Sequence, residues 1–156
     1  MRPPSLCKRC LPLLAALLGC DAFAEPDRAA PQRYEGRGFS ATLRKDVSTN
    51  SLTPKPDVTL YDLHVGSLPL LFIYVGDRPG FPHFAAAPVS EDSDVLESGL
   101  GALCRKQKPA GGQARECLIE LSETSPTHLH IWYEKLDATW AKAADRIIAS
   151  IEPRYQ

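Results

Sequence analysis

Three histidines and a pair of cysteines carry most of the chemistry that this chain's residue types allow. His128-Leu129-His130 puts two imidazoles on one face of an extended segment, about 6.5–7 Å apart by strand rise. Both could ligate one metal ion, with His64 on a neighbouring strand as a third ligand. Such spacing is common by chance, and no His-Glu-x-x-His helix or acidic cluster supports it. Boundary histidines are the simpler reading, and no cofactor is expected. Asp62 and His64 alternate on another strand face, and with a serine they could imitate a triad. Triads, however, are recognised by geometry. Asp92 and Asp94 lie in a polar stretch and read as solvated carboxylates. No Gly-x-Ser-x-Gly elbow, phosphate loop or dinucleotide fingerprint occurs. A non-catalytic protein is therefore favoured. A small metal protein or hydrolase using the His cluster is the alternative.

Of the 5 cysteines, three fall in a segment that reads as an export signal. Arg2, Lys8 and Arg9 form a basic start, and Leu11–Gly19 is an apolar run too short to span a membrane. Ala22-Phe23-Ala24 places small residues where a signal peptidase reads them, with cleavage before Glu25. Cys7-x-x-Cys10 would be discarded with the signal. Leu17-Leu18-Gly19-Cys20 resembles a bacterial lipobox, which implies an alternative in which Cys20 is acylated and anchors an inner-membrane lipoprotein. Cys104 and Cys117 remain, and an even pair in an oxidising compartment reads as a disulfide.

That bridge would close a segment with a Pro109-Ala110-Gly111-Gly112 turn and stabilise the fold by about 3 kcal/mol. Arg105, Lys106, Lys108 and Arg115 face one acid there, Glu116. The result is a basic protrusion able to steer an acidic partner, or else a solvated loop. The loop Gly76–Pro88 carries Phe81, His83 and Phe84, either as a partner-binding anchor or as a lid over the sheet edge.

The elements that must position these groups follow from periodicity. Residues 25–37 lack an apolar period and read as a flexible lead. A single domain is expected over 38–156. Phe39, Ala41 and Leu43 alternate as a strand, and Asp46–Asp57 reads as a loop. Val58–Val65 and Leu70–Val75 flank Gly66-Ser67, a type II′ hairpin signal that pairs Leu63 with Leu70 and Tyr61 with Phe72. The second of these strands is apolar on both faces and should be central. Glu91–Glu97 reads as a short helix or loop. Cys117–Leu121 and His128–Glu134 are strands. Asp137 can cap a helix whose stripe is Trp140, Ala144, Ile147, Ile148 and Ile151, ending at Pro153.

The class is α+β: a mainly antiparallel sheet with a long C-terminal helix packed on it. Over about the last 30 residues this ending resembles the Mog1/PsbP group of small α/β/α sandwiches, which implies a helix on a sheet and nothing about site residues.

Composition sets the outer limits. Apolar residues make up 44% and charged residues 24%, ordinary values for a folded chain. The 18 basic and 19 acidic residues fall to 15 and 18 once the signal's Arg2, Lys8, Arg9 and Asp21 are removed. A net charge of −3 leaves no nucleic-acid-binding balance. The expectation is a periplasmic binding or accessory protein acting on an envelope protein, as an inhibitor or immunity-type factor or as an assembly factor. Membrane contact arises only through Cys20.

Overall fold

A computed structural model describes residues 30–81, 90–95, 101–107, 111–121 and 125–154. The export segment with Cys7, Cys10 and Cys20 lies outside them, as do His83, Phe84 and Lys108. Ten strands and one helix occur among the described residues. β1 (Pro31–Gly36), β2 (Phe39–Arg44) and β10 (Glu152–Pro153) make a small sheet in the order β1-β2-β10. β3 (Ser48–Lys55), β4 (Val58–Val65), β5 (Leu68–Gly76), β6 (Ser90–Val95), β7 (Gly101–Gln107), β8 (Gln113–Glu120) and β9 (His128–Leu136) make a seven-stranded sheet. Its order is β3-β4-β5-β9-β8-β7-β6, and every pairing is antiparallel.

One face of the large sheet is covered over its central strands. Tyr61, Leu63, Leu71, Ile73, Val75, Cys117, Ile119, Leu129, Ile131 and Tyr133 alternate onto it and are buried. The helix α1 (Ala138–Ala149) lies against it with Ala141, Ala144, Ile147 and Ile148 inward. Asp137 caps the helix by accepting from the amides of Thr139 and Trp140, both at 2.9 Å. The small sheet covers the rest through Phe39, which meets Tyr61 edge to face at 5.3 Å. A second polar tie fixes the helix: Asp145 accepts from Arg115 Nη1 at 2.7 Å and from the Tyr133 hydroxyl at 3.2 Å.

Several expectations need correction. The helix has 12 residues, so it is short rather than long, and it stops at Ser150 before Pro153 enters β10. The flexible lead does not extend through 31–36, because β1 pairs with β2 along its whole length. The loop expected over 46–57 contains the edge strand β3, and Ser90–Val95 is a strand. Polar edge strands lack the apolar alternation that marks a strand in sequence, so backbone pairing alone makes them. The hairpin turn stands, with Gly66 at φ +57° and Val65 opposite Leu68. Its register shifts by one after His64, so Leu63 faces Leu71 and Asp62 faces Phe72. A bulge at this point puts both Leu70 and Leu71 in the core.

The Cys104 and Cys117 sulfurs lie at disulfide distance, 2.07 Å, across the directly opposed pair of β7 and β8. Replacing both by Ala should lower the unfolding free energy by about 2–3 kcal/mol in urea denaturation. Unchanged stability would remove the bridge from the fold's support. Burial and the neighbouring Asp145 hold the Tyr133 phenol well above its ordinary ionisation range. A raised folded-state value favours the protonated form, so this contribution is complete below the unfolded tyrosine value, about 10, and is lost as pH rises above it. Alkaline denaturation should therefore be less steep in Tyr133→Phe than in the wild type.

Candidate functional site

The opposite face of the large sheet is only partly covered, and the pairing registers lay out its side chains in rows. One row runs Asn50, Asp62, Phe72, Trp132, Glu116 and Arg105 across β3 to β7. The next runs Leu52, Leu60, Tyr74, His130, Leu118 and Leu103. The middle of this face is polar and sealed. Glu116 is fully buried and takes Arg105 Nη1 at 3.1 Å and His130 Nε2 at 3.3 Å on its two oxygens. Phe81 meets the His130 ring edge to face at 5.6 Å, over the middle strand of the sheet. Tyr74 lies over Gly76, where an added Cβ would come within 2.6 Å of the phenol oxygen.

The histidines do not converge. His130 is engaged with Glu116, and the His128 Nδ1 lies 2.6 Å from the Thr127 hydroxyl. His64 sits four residues along β4 from Leu60, which shares the His130 row, and two strands across. That separation is about 16 Å by strand rise and spacing, far beyond a shared metal. Among the described residues no group of three or more His, Cys, Asp or Glu could hold a metal. Asp62 Oδ1 and His64 Nδ1 are each buried without a hydrogen-bond partner among the described residues, so they form no dyad.

The basic protrusion is also reorganised. Arg105 and Arg115 leave adjacent strands on opposite faces and are drawn into Glu116 and Asp145, with side chains only 12% and 8% exposed. Lys106 remains exposed. Two of the four expected contact residues thus fold inward instead of forming a protruding charge. Glu116, the lone acid of that loop by sequence, is the most buried charge among the described residues of the sheet. A signal for this existed: carrying the Cys117, Ile119, Leu121 alternation back two residues places Arg115 on the buried face.

Two parts of this face stay open: Leu103 on β7, 44% exposed, and the β3–β4–β5–β9 end. Asn50, Ser51, Leu52, Leu60, Tyr61, Asp62, Phe72 and Trp132 line a cleft of about 300 Å³. Leu52 is 64% exposed and Leu60 36%, and Phe72 stacks on Trp132 at 5.5 Å. The two leucines are directly opposed across β3 and β4, on the face that carries the aromatic pair.

Glu116→Ala removes the carboxylate that the buried Arg105 charge faces. It should cost about 3–5 kcal/mol in urea denaturation, far more than Leu60→Ala on the open face. Equal costs would mean that Glu116 plays no structural part. No family model matches the chain, and no curated protein matches it. A solved structure from Bacteroides thetaiotaomicron, at 1.50 Å resolution, is similar over 82% of this chain, with 12% identity and a TM-score of 0.38. The chain spans 49% of that protein, about half its length, and the likeness extends neither the Mog1/PsbP resemblance nor any activity to this chain.

Proposed function

We propose that the chain is an exported, non-catalytic binding or accessory protein that acts by protein–protein contact in the bacterial cell envelope. An inhibitor of an envelope toxin and an assembly factor both fall within this reading. Its contact surface is the open sheet face around Leu52, Leu60, Phe72 and Trp132, in place of the basic hairpin. The observation that carries it is the cleft itself, apolar and aromatic, with Leu52 64% exposed at its rim. A free apolar surface of this kind loses its contact with water when a partner covers it, at roughly 25 cal/mol per Å². The ionisable groups support the same reading from the other side. Arg105, Arg115, Glu116 and Asp145 serve the fold through ion pairs, so they are engaged in structure rather than presented to a substrate. The pair of cysteines at bonding distance suits an oxidising compartment, and no helix among the described residues is long and apolar enough to cross a membrane.

A photo-crosslinking amino acid placed at position 52 tests the surface in living cells. A discrete adduct is expected from position 52, lost when Leu60→Asp is added, and absent from position 106 on the hairpin. Adducts from 106 and none from 52 would return the function to the basic segment.

A further inference from the structure

Resting on the open face as the contact surface, we infer that its cleft recognises an extended basic segment, with a lysine or arginine two residues from an aliphatic side chain. β3 is the edge of the seven-stranded sheet, and nearly all of its residues are exposed. The devices that commonly keep another strand off an edge, here Pro54, Lys55 and a register shift, lie at the C-terminal end of β3, and Ser48–Thr53 carries no charge. A partner segment can therefore pair with β3 and continue the sheet. Such a segment would sit about 4.8 Å beyond β3 and about 9.6 Å from β4.

The two open-face rows then dictate its side chains. In the first row β3 presents Asn50 and β4 presents Asp62. Asp62 lines the cleft, and its Oδ1 is buried without a hydrogen-bond partner among the described residues. A carboxylate beside Leu60, Phe72 and Trp132 favours a cation that enters the same cleft. Only a long side chain crosses β3 to reach it, which selects lysine and arginine over shorter groups. The Phe72 ring, one strand beyond Asp62, adds π attraction for the same charge. In the second row β3 presents Leu52 and β4 presents Leu60. A side chain opposite Leu52 covers both leucines and must be apolar. Adjacent rows on one face are two residues apart along a strand, so the expected pattern is basic-x-aliphatic, in either direction.

Selection of a displayed random heptapeptide library against the chain without residues 1–24 tests this. Bound clones should be enriched several-fold in lysine or arginine at two-residue spacing from leucine, isoleucine or valine. Asp62→Asn, nearly isosteric, should weaken the synthetic consensus peptide about tenfold, and replacing the peptide's arginine by neutral citrulline should do the same. Circular dichroism and thermal melts verify that the variant is folded. Clones without basic enrichment, or equal binding by Asp62→Asn, overturn the cation recognition and leave the open face standing. Clones that bind Leu52→Asp/Leu60→Asp as well as the wild type overturn the open face itself. A selection that yields no binding clone overturns both.

Discussion

The antiparallel pairing of β5 with β9 holds the molecule together. It joins a meander of β3, β4 and β5 to a second meander of β9, β8, β7 and β6 that lies far along the chain. One register sets both faces at once. Ile73 meets Ile131 on the covered side, and Phe72 meets Trp132 on the open side. The helix follows directly from the end of β9 and reaches back over β5, so its stripe seals the same joint from above. A shift of one residue here would turn the apolar set outward and the aromatic pair inward.

Adjacent residues of β8 then carry opposite charges to opposite faces. Arg115 goes to the covered side, where Asp145 ties the helix to the sheet, and Glu116 goes to the other side, where Arg105 and His130 meet it. Burying such groups is costly, and their attraction repays the cost only with good geometry and further hydrogen bonds. Their value lies in what they exclude: a slipped β7–β8 register would strand a buried charge. The cross-strand cysteine pair locks the same register one residue away. This explains why residues with chemical promise end in structural roles.

Several exposed features of the molecule meet at the β3 end, while Leu103 is exposed on β7. β3 offers unpaired backbone, Leu52 and Leu60 offer apolar area, and Asp62 offers charge, all within one cleft. The uncharged part of an edge strand is a hazard for a free protein and an asset for one that receives a partner strand.

Much of the core was legible in the sequence. Period-two alternation marked β8 and β9, the Gly66-Ser67 turn beside a run apolar on both faces marked β4 and β5, helical spacing marked α1 with its Asp137 cap, and the isolated cysteine pair marked the bridge, because these are local patterns imposed by burial and turn geometry. The polar edge strands β1, β3 and β6 were not legible, since pairing with a neighbour leaves no hydrophobic signature on an exposed strand. The bulge that moves Phe72 opposite Asp62 was hidden for a related reason: one extra residue changes a register without changing composition. Two of the cleft's residues, Leu52 and Asp62, read respectively as a lone leucine in an expected loop and as one member of an imagined triad. The sequence by itself determined which side chains must be buried. Tertiary structure alone decided which charges share that burial and which face is left open, because both depend on contacts between strands distant in the chain.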